Sequence, residues 1–259
     1  MSSWDAGDRV WAVVVRNSCC LPGILVLHRS LQNYGSVYPL FAILSPETEH
    51  RRDVERVLAV AGIPSVQSVG ANPHNYNIHY PEDLYKLAAW GVLEPGISII
   101  GLLDSDQRVF ANIDHLLAGE QVGTEEIAAI NLLTAHPNTI ILRPSRTKFH
   151  QIQNALPLFG MATPTAMMAI LRYYFHDKNQ GLGVEYDTLE PALSTSIGYQ
   201  VVKYNRARPW VRRGGRRIGA WWRIWRLLER EWTGNNAGRD KKRLWQGFLE
   251  PLTASNDSV

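Results

Sequence analysis

The stretch Ile97-Ser98-Ile99-Ile100-Gly101-Leu102-Leu103 constrains the fold more than any other part of the chain. Its apolar residues fall at odd and even positions alike, so neither face of a strand built from it can meet water. It is also too short for an ordinary helix, which leaves a central strand covered on both faces, as in a largely parallel sheet. The run stops at Asp104-Ser105-Asp106. In an open α/β sheet, ligands collect outside the carboxyl ends of the strands, so two acids at such an end mark a candidate site.

The segments upstream fit the same architecture. Val10–Val15 reads as a buried strand, Ile24–Tyr34 as a helix closed by Gly35, and Pro39–Leu44 as a second strand. Pro46–Gly62 reads as a helix with Val54, Val57, Leu58 and Val60 inward, followed by a short strand near Pro64–Val69. This alternation predicts a mostly parallel, Rossmann-like sheet flanked by helices. Gly70–Pro81, rich in Asn, His and Tyr, has the length of a functional loop, and Glu82–Leu93 reads as a helix.

Composition narrows the function classes. With 259 residues, 45% of them hydrophobic, the chain can bury a sizeable core, and no apolar run approaches the roughly 20 residues of a membrane-crossing helix. The opening Met-Ser-Ser-Trp-Asp-Ala-Gly-Asp-Arg lacks the basic and apolar regions of a signal peptide, so a cytoplasmic location is expected, with peripheral Golgi or membrane association as the alternative. Cys19 and Cys20 are adjacent and poorly placed to bridge each other. No G-x-G-x-x-G, Gly-Lys dipeptide, G-x-S-x-G or H-E-x-x-H occurs, which argues against the common nucleotide-loop, hydrolase and zinc-protease signatures.

Charge is unevenly spread. Lys203 to Arg243 holds 14 Lys+Arg and 3 Asp+Glu, against 13 and 21 in the rest of the chain, and six of the nine Trp lie in or just past that stretch. This shift predicts a catalytic domain over 8–210 and a basic, Trp-rich helical extension over 211–259. Ile218 to Trp232 places Ile218, Trp221, Trp222, Trp225, Leu228 and Trp232 on one helical face, with Arg223, Arg226 and Arg230 on the other. One reading packs the Trp face on the domain; the other lays it on an anionic membrane surface. No nucleic-acid-binding signature accompanies the charge.

An Asp-x-Asp tripeptide alone is a weak signal, since it also makes solvated turns; at a strand end both carboxylates can reach one hard divalent cation that shares phosphate oxygens. Its surroundings are more specific. A Lys-Leu helix carrying a Trp (Lys86-Leu87 to Trp90), a strand into Asp104-Ser105-Asp106, and Asn112-Ile113-Asp114-His115-Leu116 together resemble the central signature of the glycogenin-like family 8 glycosyltransferases, of the nucleotide-diphospho-sugar transferase superfamily. The opening Asn17 to Leu31, Tyr38-Pro39-Leu40, Ile141-Leu142-Arg143-Pro144-Ser145 and Arg208-Pro209-Trp210 are similar to further family segments, and the tail resembles divergent fungal-type sequences.

That resemblance implies a GT-A fold that moves a hexose from a UDP-sugar to a sugar, lipid or protein hydroxyl with retention, using Mn²⁺ or Mg²⁺. Asp104 and Asp106 would be the metal ligands, and Asn17, Lys86 and Ser105 would complete the donor site. A metal ion and a Lys are the groups that stabilise a departing diphosphate. Asp177, Asn179 and Gln180 would be the catalytic residues.

Several positions depart from the family pattern. Cys20 stands where an aromatic packs on the base, His136-Pro137-Asn138 replaces Asn-x-Gly, and Asn179 replaces the acid of an Asp-Gln pair, with Asp177 nearby. The His of the third metal ligand has no counterpart, and Val201-Val202-Lys203-Tyr204-Asn205 stands there. The rival reading is therefore a catalytically degenerate pseudoenzyme that serves as a binding or scaffold protein. Read without the family, Lys86 is a solvated helix residue, His74 and His79 are hydrogen-bonded loop residues, Ser105 and Asn112 cap turns, and Trp90 belongs to the core.

Overall fold

The computed structural model describes residues 8–44, 48, 50–67, 85–92, 96–118, 127–129, 139–159, 166–175, 188–189, 200–204, 209–210 and 218–254. Strand β1 (Arg9–Val15) is central. Beside it lie β2 (Leu40–Leu44), β3 (Ser65–Gln67), β4 (Ile99–Leu103), β7 (Ile140–Leu142) and β6 (Ile127–Ala129), in the order β3-β2-β1-β4-β7-β6. The first four run parallel, while β7 is antiparallel to both β4 and β6. A second sheet is built from β5 (Gln107–Val109), β9 (Val201–Lys203) and β8 (Thr188–Leu189), in the order β5-β9-β8.

The apolar runs read from the sequence are explained by two cores, one on each face of the large sheet. Trp11, Val13 and Val15 point to the first, with α1 (Leu21–Asn33), α2 (Arg51–Ala61) and α6 (Ile218–Thr233); Val10 and Ala12 point to the second. The second core contains Leu87 to Trp90, α4 (Arg146–Ala155) and α5 (Ala166–Phe175). Trp90 is thus a core residue, as expected. Helix α3 (His115–Ala118) contributes Leu116 and Leu117 to the first core.

Helix α1 begins three residues earlier than periodicity suggested, because Pro22 in its first turn has no amide hydrogen to waste and a φ already set for a helix. The described part of α2 starts at Arg51, not Pro46, since His50 sits at φ 52 and a right-handed helix cannot run back through it. Between Glu82 and Leu93, where an α-helix was expected, the described residues form a tighter 3₁₀ helix over Tyr85–Ala89.

Helix α6 leads through a turn to α7 (Arg239–Leu244). Its Trp face is turned inward: Trp221, Trp225, Leu228 and Trp232 are buried, Trp221 stacks on Trp225, and the indoles pack at tilted angles against Trp210 and Trp245. Arg223, Arg226 and Arg230 are exposed. The membrane-surface reading of 218–232 required that Trp face to be open, and α1 and its neighbours cover it. Among the described residues, no helix is long and apolar enough to cross a membrane.

Candidate active site

After β3 the chain crosses to β4 on the far side of β1, so the carboxyl ends of β1 and β4 lie side by side, with Val13 opposite Leu103. This is the crevice position where open α/β sheets bind ligands. Past β1, Asn17 leads a short 3₁₀ turn into α1, and its carbonyl accepts from the Cys20 amide at 3.2 Å. Cys20, at the position of the expected base-packing aromatic, is buried, so it presents no face to a base. Past β4 comes Asp104-Ser105-Asp106.

The acid turn is clamped from within. The Asp104 amide donates to Gln107 Oε1 at 2.6 Å, and the Gln107 amide returns to the Asp104 carbonyl at 3.0 Å. Gln107 Nε2 then donates to Thr139 Oγ1 at 3.2 Å, with both residues fully buried. Gly23 of α1 passes so close that a Cβ there would overlap the Ser105 carbonyl oxygen and the Trp210 ring. Gln107, Thr139 and Gly23 were not singled out from the sequence, because their roles depend on neighbours remote in the chain.

Two ammonium groups converge on one carboxylate. Lys86 Nζ lies 2.9 Å from Asp104, and Lys203 Nζ lies 2.7 Å from Asp104 Oδ2. Lys86 is buried on its 3₁₀ helix and reaches the acid turn, so the solvated-residue reading fails. Lys203 was noted only as part of a segment that lacks the family His. It is fixed by pairing of β9 with β5, where Lys203 stands opposite Gln107 and the Tyr204 amide donates to the Asp106 carbonyl at 3.0 Å.

These neighbours separate the two acids. Burial alone would raise the Asp104 carboxyl, but Lys203 and Lys86 outweigh it and hold the group down to about 2. Burial pushes Asp106 up to about 6 against the pull of Lys203, and the Asp104 charge adds to the rise.

Asn112 makes a turn, its Oδ1 accepting from the Asp114 amide at 2.9 Å, while Asp114 accepts from Trp11, Ser36 and Val37. The Asn-Ile-Asp segment therefore ties β1 to the α1–β2 connection. Asp177, Asn179 and Gln180 lie outside the described residues, as do His74, His79 and 136–138.

No family model matches the chain. Over 131 residues it is 28% identical to galactinol synthase 1 of Solanum lycopersicum, a match that covers 44% of this chain and 40% of that relative's length. The fold aligns with the galactosyltransferase LgtC, solved in complex with donor and acceptor sugar analogues, at TM-score 0.66 and 11% identity, covering 93% of this chain and all of that one. The glycosyltransferase GlyE of Streptococcus pneumoniae TIGR4 aligns at TM-score 0.60 and 12% identity, over 97% of this chain and 66% of that one. The chain has the GT-A glycosyltransferase fold. In sequence and fold it resembles the glycogenin-like family 8 glycosyltransferases.

GT-A glycosyltransferases commonly use a divalent metal ion. Among the described residues, the donor set of this site is poor for one. Among the described residues, no group of three or more His, Cys, Asp or Glu converges. The Asp104 carboxylate that would face the ion already carries two ammonium groups, whose charge opposes a dication there.

Proposed function

We propose that the chain transfers a hexose from a UDP-sugar to a hydroxyl acceptor, with retention at the anomeric carbon. The observation that carries the reading is the Asp104-Ser105-Asp106 turn at the carboxyl end of β4, held beside β1 at the point where strand order reverses, with Lys86 and Lys203 on Asp104. The likeness to galactinol synthase 1 supports the same class of reaction.

In this reading, the bond between the anomeric carbon and the diphosphate oxygen breaks, and its electron pair leaves with the diphosphate. The acceptor oxygen bonds to the anomeric carbon, and its proton passes to the departing diphosphate. Charge develops on that leaving group, where ammonium groups held in a largely buried site stabilise it more in the transition state than in the ground state. Lys86 serves the phosphates, Asn17 lies by the nucleotide, and Ser105 lends the backbone of the turn. From the family resemblance, Asp177, Asn179 and Gln180 serve the sugar and its acceptor.

The test is release of UDP from a panel of UDP-sugars, with and without added Mn²⁺, by wild type and by Lys86→Met. Turnover that falls at least about tenfold in Lys86→Met supports the reading, as expected for loss of a charged contact to the leaving group. A folded wild type that neither binds nor cleaves any UDP-sugar ends it and leaves a binding or scaffold protein as the alternative.

A further inference from the structure

Gln107 opens β5, and the next residue on the same face of that strand, Val109, is apolar and fully buried, as a core position requires. Gln107 instead places an amide there, equally buried, and both ends of that amide are used. Its Oε1 accepts from the Asp104 amide at 2.6 Å, while its own backbone amide donates to the Asp104 carbonyl at 3.0 Å, so the turn through Ser105 and Asp106 is closed twice by one residue. Its Nε2 donates to Thr139 Oγ1 at 3.2 Å. Because β7 runs antiparallel to β4, with Ile140 opposite Leu102, Thr139 stands at the end of β7 that lies beside the acid turn. One buried side chain therefore joins the acid turn to the start of the neighbouring strand.

We propose that Gln107 is a positioning residue, a strut that sets the separation between the phosphate end and the sugar end of the donor site. The inference rests on the donor-site reading above. Strands β1, β4 and β7 are consecutive neighbours in the large sheet. With the nucleotide by Asn17 past β1 and the diphosphate at the acid turn past β4, a donor laid along the crevice carries its hexose towards the start of β7. The anomeric carbon must then be held at a set distance from whatever meets it on that side, and a misplacement of about 1 Å can cost on the order of a hundredfold in rate. Hydrogen bonds between fully buried groups hold such a distance, since no water competes for them and leaving one unmade is costly.

The experiment compares wild type, Thr139→Val, Thr139→Ser and Gln107→Met as full chains with Mn²⁺ present, by calorimetric titration of UDP and by steady-state release of UDP from the same panel of UDP-sugars. Urea denaturation establishes that each is folded under the assay conditions. Thr139→Val keeps the side-chain shape and removes the hydroxyl, cutting the strut while Gln107 still closes the turn. Its UDP affinity and its KM are expected to stay within about threefold of wild type while kcat falls roughly tenfold or more, the signature of an interaction felt in the transition state. Thr139→Ser, which keeps the hydroxyl, is expected to recover most of that kcat. Gln107→Met also unties the Asp104 amide, so UDP affinity and kcat should fall together. A residue that served stability alone would lower the urea midpoint and leave kcat of the folded enzyme unchanged.

A kcat within about threefold of wild type in Thr139→Val, or a loss that Thr139→Ser does not recover, overturns the inference and leaves the donor-site reading standing. The Thr139 pair decides the matter should Gln107→Met fail to fold. Wild type that binds UDP but releases none from any UDP-sugar also overturns the inference alone. Absence of both UDP binding and turnover in folded wild type overturns both.

Discussion

The indole N–H of Trp11 donates to Asp114 Oδ1 at 3.1 Å, joining the central strand to the segment beyond the acid turn. The same carboxylate takes the Ser36 hydroxyl at 2.6 Å and the Val37 amide at 2.7 Å, so one side chain locks β1, the exit of α1 and the entry to α3. Trp11 is fully buried and has no water to turn to. Asp114→Ala is expected to cost about 2 to 4 kcal/mol, chiefly through donors left unpaired. Urea denaturation checks this. UDP affinity measured well below the melting temperature should change little, since Asp114 acts on the frame.

Two glycines separate stability from function. A Cβ on Gly101 would meet the Trp11 ring and Leu117, and one on Gly23 would meet the Ser105 carbonyl and Trp210. Both Gly→Ala variants should lose about 1 to 3 kcal/mol through overpacking. Only Gly23→Ala pushes on the backbone of the acid turn, so only it should also weaken UDP binding. Equal affinity in the two variants would refute that distinction.

The tail predicts a contrast within one helix. Trp225 is buried between Trp221 and Trp245, with ring centroids 5.6 and 4.6 Å away, and its neighbour Arg226 is exposed. Trp225→Ala should cost about 3 to 5 kcal/mol, whereas Arg226→Ala should stay within about 0.5 kcal/mol. Co-sedimentation with anionic vesicles should be weak for wild type and should strengthen only when heating or urea opens the Trp face.

The contribution of His28 to stability should fall on mild acidification. His28 is lowered to about 4 by burial and by the Arg29 charge, against a backbone hydrogen bond at Ala61. The unfolded chain thus takes up a proton near pH 6.5, before the folded one does. The contribution of neutral His28 is complete above that pH, declines as pH falls through it, and levels off near pH 4. The loss is at most about 3 kcal/mol, less whatever solvent screening removes. His28→Gln should remove this acid-side loss, so that below pH 6.5 the urea midpoint of the variant falls less with decreasing pH than that of wild type.

Local pattern carried much of the fold. The apolar runs of β1, β2 and β4 read as buried strands because both faces are covered, and Asp104 announced its site by standing at a strand end. The reversed direction of β7 was hidden, since Ile140-Ile141-Leu142 looks the same pointing either way. The 3₁₀ geometry around Lys86 was hidden too, because apolar spacing over so few residues does not distinguish it from an α-helix. Lys203 was legible only as the absence of a histidine. Its partner lies 99 residues away, and nothing in the local sequence of β9 signals that it will pair with β5.

That separation has a consequence for synthesis. Lys86 meets Asp104 across 18 residues, so a growing chain can shield the carboxylate with one cation as soon as β4 has left the ribosome. The second cation, and the partner strand that β5 needs, arrive only with β9. A nascent chain can thus assemble most of the large sheet while its acid turn is still half-built, so the turn is completed only after the sheet that carries it.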